Sequence, residues 1–310
     1  MKIEIELGEK KVTNIDLNKK FPNWNFKRFE KRVGIKNRYV TKDTSLDLSL
    51  KAFNKISIGK NINDIKNIIY TTQTPKYIIP GDGYVFLDKI SDNYLECPNL
   101  YQLSNGCSGF VDALGLMQNL NIKSNTLIIN SDTYNKIIHG KDRMNKSIFS
   151  DCASVAFLSS YKISDYKTIS IPNKWKNISC HREQINNIEI EYSKGSFNNK
   201  STFWMDGPEV YNFAINDVFT IVQNRLRNNN SIQPEIIIFH QANKMMLDIF
   251  KQNLKKRNIY VPIVIDNGNL VGCSIPNVLK ENIISFRKKN ILLVGFGVGL
   301  KVSLINFYYE

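Results

Sequence analysis

Apolar and polar positions along this chain fall into short alternating blocks. NIIYTT (67–72), LYQLS (100–104), NTLIINSD (125–132) and SVAFLSS (154–160) are brief apolar runs bounded by polar or turn residues, and each predicts a buried strand. Between them lie segments with apolar residues three and four apart. Residues 45–56 place Leu46, Leu50 and Phe53 on one helical face, and a second helix is predicted from 108 to about 120. Short strands alternating with amphipathic helices predict an α/β fold with a largely parallel sheet.

The second half repeats the order. EIIIFHQAN (235–243) reads as strand then loop, like NIIYTTQTP (67–75). YVPIVIDNGNLVGCSIPNVL (260–279) reads as strand, loop and helix, like the region around Cys107, and NILLVGFG (290–297) is a strand like NTLIINSD. Repeated order with little shared identity predicts an internal duplication. The expected units are an N-terminal half, 1–163, and a connector plus C-terminal half, 164–310, with the polar stretch 164–184 as connector. A length of 310 residues suits two such units.

Composition narrows the class. A hydrophobic content of 42% and a charged content of 23% are those of an ordinary globular protein. Five cysteines, at 97, 107, 152, 180 and 273, include no CxxC pair, so a metal or redox centre is not expected. The start, MKIEIELGEK, lacks a signal-peptide apolar core, and no apolar run approaches the roughly 18 residues of a membrane span. A cytoplasmic protein with free thiols and no membrane partner is expected. Forty-two basic against 28 acidic side chains give a net charge of +14. The basic residues are dispersed and form no nucleic-acid motif, so the charge points to a general affinity for anions or to an acidic partner.

Four segments carry candidate chemistry. YQLSNGCSGFVDALGL (101–116) sets Cys107 between Gly106 and Gly109 where a strand turns into a helix. The helix N-terminus would aim amide N–H groups at the sulfur, and the glycines permit a sharp turn. Read alone, a single cysteine is more often a buried structural thiol. His240 directly follows the apolar run IIIF, at the strand end where α/β proteins place their sites, although a core histidine would fit there too. Asn269 lies in DNGN, an ordinary turn string in isolation, after one predicted strand and before a helix. GFGVG (295–299) precedes another strand and is no dinucleotide fingerprint; it suits backbone donors that approach a substrate oxygen.

NGCSGF, HQAN, the GN at 268–269 with SIP at 274–276, and FGVG, in this order, resemble β-ketoacyl-acyl carrier protein synthase III of the thiolase-like superfamily. RVGIKNRYV (32–40), KDR (141–143) and MDGPEV (205–210) extend the resemblance over nearly the whole chain. It implies a five-layered αβαβα fold of two duplicated halves, usually a homodimer. It further implies an acyltransferase of fatty acid biosynthesis that self-acylates on Cys107 from an acyl-CoA or acyl-carrier primer. That primer is condensed decarboxylatively with malonyl-acyl carrier protein. His240 and Asn269 would bind the malonyl thioester carbonyl, and the amides of Cys107 and Gly299 would form the oxyanion hole. Arg32 and Arg143 would contact coenzyme A, with Asn243 near the substrate, Phe149 lining the acyl pocket and Ile79 reaching it from a partner subunit. Lys244, Lys251, Lys255, Lys256 and Arg257 would dock the acidic carrier protein. No metal or other cofactor is implied. Asn269 separates the chain from the His-His and glutamate-using condensing enzymes. Arg28, Pro208, Leu270 and Val271 depart from the usual family pattern. Two other readings use the same residues: acyl transfer to an oxygen, nitrogen or other nucleophile without carbon–carbon bond formation, and a non-catalytic partner subunit of a synthase.

Overall fold

The computed structural model describes residues 1–56, 64–91, 97–180, 203–228 and 230–310. Its strands in chain order are β1 (Lys2–Leu7), β2 (Lys10–Thr13), β3 (Asn37–Val40), β4 (Asn67–Thr71), β5 (Asn99–Leu103), β6 (Thr126–Asp132), β7 (Cys152–Leu158), β8 (Tyr161–Ser170), β9 (Ile178–Cys180), β10 (Phe203–Met205), β11 (Ile236–Phe239), β12 (Ile291–Gly297) and β13 (Lys301–Tyr309). The α-helices are α1 (Asn14–Lys20), α2 (Phe26–Val33), α3 (Ser45–Lys55), α4 (Asp82–Ile90), α5 (Gly109–Asn119), α6 (Arg143–Lys146), α7 (Gly207–Asn212), α8 (Phe219–Arg227), α9 (Lys244–Leu254) and α10 (Ser274–Glu281).

Two sheets carry the architecture. One runs β1-β7-β6-β4-β5 and the other β8-β13-β12-β11. In the first, β1–β7 and β7–β6 are antiparallel, while β6–β4 and β4–β5 are parallel. In the second, β8–β13 and β13–β12 are antiparallel and β12–β11 is parallel. The second sheet thus copies the first strand for strand. Its fifth place is held only by Tyr260, bridged in parallel to Ile236. Duplication is therefore a property of the fold, whereas the expected largely parallel sheet is corrected to a mixed one. Strands buried on both faces read as continuous apolar runs whichever way they point, so direction was hidden in the sequence.

Alternation of side chains sorts the layers. In β6, Leu127 and Ile129 pack with Phe53 of α3 and Phe86 of α4, while Ile128 faces Phe110 and Val111 of α5. In β12, Ile291 and Leu293 join that inner layer with Val278 of α10, while Leu292 and Val294 pack on Leu247 and Phe250 of α9. The result is five layers, with α5 and α10 sandwiched between the sheets and helices outside each. This central position explains why α5 is apolar nearly all round.

Two further expectations are corrected. The segment 261–265 forms no strand: Pro262 has no N–H to give a ladder, and the Val264 N–H donates to Gln241 Oε1 at 2.8 Å instead. Residues 164–170 are not a connector but most of β8, an edge strand. Its charged outer face disguised it, while Ile163 and Tyr166 pack inward. Residues 181–184 of the expected connector, with His181, lie outside the described residues. No described helix is long and apolar enough to cross a membrane.

Candidate active site

Cys107 sits one residue before Ser108, the N-cap of α5. The turn is tight because of what surrounds it. A side chain on Gly106 would strike Gln73 and Tyr134, and one on Gly109 would strike Thr71. These glycines serve packing against β4 and its neighbours, not only the turn. On the other side, a β-carbon at Gly297 (φ +153°) would lie 3.0 Å from the Cys107 sulfur, so β12 reaches the thiol with bare backbone.

Asp112, one turn into α5, fastens this end of the helix. It accepts hydrogen bonds from Ser108 Oγ at 2.6 Å, Asn105 Nδ2 at 2.7 Å, Ser303 Oγ at 2.5 Å and Tyr166 OH at 3.0 Å, and pairs with Lys301 Nζ at 2.9 Å. The nucleophile helix is thereby tied to β8 and β13 of the opposite sheet.

Burial pushes the Cys107 thiol up to about 12, with the Asp132 carboxylate adding to the rise. Hydrogen bonding from the backbone N–H groups of Cys107 and Val298 works the other way and does not win. The resting thiol is therefore neutral, and the expected activation by the helix end is outweighed by desolvation. Asp132 is itself pushed up to about 7 by burial, against hydrogen bonds from the Gln73 N–H at 2.8 Å and the Thr72 and Thr74 hydroxyls.

His240 is 2% exposed, and burial lowers it to about 3, so the ring is neutral at physiological pH. Its Nδ1 lies 2.7 Å from Ser274 Oγ, and Phe296 meets the ring edge-on at 5.5 Å between centroids. Asn269 is 5% exposed. Its backbone N–H donates to Ile148 O at 2.9 Å, and its carbonyl accepts from the Ser150 N–H at 3.0 Å. Its side-chain oxygen accepts the Val271 N–H at 2.9 Å, which leaves the NH₂ end as the free donor. Among the described residues His240 Nε2 and Asn269 Nδ2 have no hydrogen-bond partner, yet neither is among the polar atoms sealed from solvent. Val271 adopts φ +50°, a conformation costly for a β-branched residue, in the turn that aims the amide.

The three segments meet through shared neighbours. Gly297 touches Cys107, the adjoining Phe296 packs on His240, and Gly272, three residues past Asn269, abuts the Gly106 carbonyl. Phe149 bridges to Asn269 and packs with Tyr134 at 5.1 Å and Phe203 at 5.4 Å, an aromatic wall in the same apolar cluster as Cys107.

Other expected residues lie further out. Arg32 and Arg143 are exposed, and the Arg143 guanidinium lies 4.5 Å from the centre of the Trp24 ring. Asn243 caps α9 by accepting the Met246 N–H at 3.0 Å. Ile79 is 88% exposed beside exposed Ile78. Lys244 and Lys251 line a groove of about 1020 Å³ with Lys27, Lys31 and Lys36. Lys244 pairs with Asp248 at 2.5 Å, and Lys255–Arg257 form an exposed turn after α9. Sequence reasoning missed Asp132, Val298 and Ser274. The signals were faint: an acid at the end of a buried strand, one residue between two glycines, and a serine inside SIP. Among the described residues no group of three His, Cys, Asp or Glu could hold a metal.

Residues 101–172 match the family model 3-Oxoacyl-[acyl-carrier-protein (ACP)] synthase III, and residues 228–307 match its C-terminal counterpart. The chain is 31% identical over 306 residues to the β-ketoacyl-[acyl-carrier-protein] synthase III of Clostridium novyi, covering 93% of this chain and 92% of that one. A crystal structure of a 3-oxoacyl-(acyl-carrier-protein) synthase III superposes with a TM-score of 0.84 at 22% identity, covering 100% of this chain and 98% of that one. The synthase III of Thermus thermophilus gives 0.83 at 20% identity, covering 99% and 98%.

Proposed function

The chain belongs to the β-ketoacyl-[acyl-carrier-protein] synthase III family and is a condensing acyltransferase of thiolase-like fold, and from that premise we propose that Cys107, His240 and Asn269 carry out its two half-reactions. In the first, the Cys107 sulfur attacks an acyl thioester, the acyl–sulfur bond of the donor breaks, and the thiol proton passes to the departing thiolate. The exchange is neutral overall, which suits a thiol kept protonated by burial. The oxyanion of the tetrahedral intermediate would sit against the amides of Cys107 and Val298. We assign the second donor to Val298 rather than to the expected Gly299 because its N–H, like that of Cys107, reaches the sulfur. Gly299, with φ +98°, then turns the chain into β13.

In the second half-reaction a malonyl thioester loses carbon dioxide. The resulting enolate attacks the acyl-cysteine carbonyl, and the Cys107 thiolate leaves and regains a proton. The product is a 3-oxoacyl thioester on the carrier. Two neutral donors, the Asn269 NH₂ and a His240 ring N–H, would bind the enolate oxygen. Neutral donors fit this task, since neither needs to give up a proton before the carboxylate departs. The observation that carries the reading is this pair of donor nitrogens on buried side chains, without a partner among the described residues, together with a thiol at a helix N-terminus.

The carrier protein would dock on the α9 side, at Lys244, Lys251, Lys255, Lys256 and Arg257. Arg32 and Arg143, both exposed, would meet coenzyme A phosphates. The acyl chain would lie against Phe149. The exposed Ile78 and Ile79 are the apolar residues a second subunit would cover in a homodimer. Acyl and malonyl thioesters as substrates imply a cytoplasmic setting and require no metal or redox cofactor.

Intact-mass measurement after incubation with acyl-CoA thioesters tests the first step. The expected result is an acyl adduct on the native chain and none on Cys107→Ser; an equal adduct on both, or none on either, overturns it. Carbon dioxide release on adding malonyl-carrier protein tests the second. Adduct formation without release with any primer would instead indicate acyl transfer to another nucleophile.

A further inference from the structure

The tautomer of His240 follows from counting protons at Ser274. This serine opens α10 and is 2% exposed. Its Oγ has two partners, the backbone N–H of Gln241 at 3.3 Å and His240 Nδ1 at 2.7 Å. A hydroxyl has one proton and two lone pairs. The Gln241 N–H can only donate, so it occupies one lone pair. If Nδ1 carried the ring proton, Oγ would accept twice, and its own proton would find no acceptor among the described residues. If Nδ1 is bare, Oγ donates to it, every group is satisfied, and the ring proton sits on Nε2. Buried donors are seldom left unmade, so the second arrangement prevails. The edge-on Phe296 ring and the His240 backbone N–H, which donates to Val294 O at 2.8 Å, fix the plane in which Nε2 points.

We propose that Ser274 is a positioning residue: its hydroxyl holds His240 as the Nε2–H tautomer, so that a neutral N–H faces the malonyl thioester oxygen beside Asn269 Nδ2. The inference rests on the condensing-enzyme reading for its consequence, but the tautomer itself does not. Ser274 touches no substrate; its demand falls on decarboxylation, not on acylation of Cys107.

The chain has three histidines, at 139, 181 and 240, so imidazole-¹⁵N labelling gives a simple spectrum, assigned with His240→Asn. For the native protein the expected signal is a proton-bearing Nε2 and a bare, hydrogen-bonded Nδ1. In Ser274→Ala the Nδ1 signal should lose its hydrogen-bond shift and both tautomers should appear. Decarboxylation of malonyl-CoA by that variant should fall about 10- to 100-fold in kcat, by analogy with the loss of the outer partner that orients a metal-bound histidine. The KM and the rate of Cys107 acylation by acetyl-CoA should change less than about twofold. Ser274→Thr, which keeps a hydroxyl, should restore both the signal and the rate. A native Nδ1–H tautomer overturns the proposal, and so does a Ser274→Ala protein that keeps the Nε2–H signal and full decarboxylation. If Ser274→Ala does not fold, the native spectrum and Ser274→Thr decide. Failure of the native enzyme to decarboxylate malonyl-CoA and malonyl-carrier alike would instead count against the condensing reading, leaving the tautomer measurement standing.

Discussion

At the scale of single residues, the site sets opposite electrostatic conditions within a few side chains. Cys107 and Asp132 are driven toward their protonated forms by burial, and His240 toward its neutral form by the same cause. The thiol at about 12 predicts that alkylation of Cys107 by iodoacetamide climbs about tenfold per pH unit from pH 7 to 10. A plateau near pH 8 to 9 would show that burial does not control it. Asp132 has a folded-state value near 7 against an ordinary 3.8, so the stability it contributes is complete below 3.8 and is lost as pH rises through 7. Asp132→Asn should flatten the fall in melting temperature across that window and, by removing a negative charge, speed Cys107 alkylation; calorimetry at stepped pH and timed mass spectrometry check the two effects. Asn269→Ala should keep the acyl adduct on Cys107 and lose condensation by about 10²–10³-fold, the usual cost of one oxyanion donor. Condensation at the native rate would remove Asn269 from its assigned role. Cys107, His240 and Asn269 could be singled out in the sequence because each follows an apolar run. Asp132 could not, since its importance comes from being sealed beside a thiol 25 positions away (132 − 107).

Among elements, α5 decides whether the nucleophile is held in place. Its apolar surface gives it two sheets to lie between, and Asp112 locks its first turn to β8 and β13 of the second. Asp112→Ala removes one member of a buried ion pair and strands several donors, with an expected cost of about 3 kcal/mol. Thermal unfolding of the variant should show a fall of several degrees, with Asp112→Asn intermediate; an unchanged melting temperature would mean that α5 is held by apolar packing alone. Periodicity sufficed for α3, α5, β4, β6 and β12. It failed for β8, whose charged outer face mimics a loop, and for 261–265, where Pro262 breaks an otherwise strand-like run.

Over the whole molecule the basic residues behind the +14 charge are spread out, but one exposed group of them adjoins the site. Exposed Lys251, Lys255, Lys256 and Arg257 cluster at the end of α9, whose preceding loop carries His240. Reversing Lys255 and Lys256 to Glu should raise KM for malonyl-carrier protein more than for malonyl-CoA, and the difference should shrink with added salt. An equal rise for both substrates would move the docking site elsewhere. What the chain order of residues fixes unaided is local: which runs are buried, where strands give way to helices, and that the second half repeats the first, because side-chain periodicity and turn chemistry act over a few neighbours. Strand direction, the sealing of Asp132, the approach of the Val298 N–H to the Cys107 sulfur and the contact of Ser274 Oγ with His240 Nδ1 were decided only when distant segments packed together. Each depends on which groups are removed from water and which hydrogen-bond partners are left within reach, and no stretch of sequence contains both sides of those contacts.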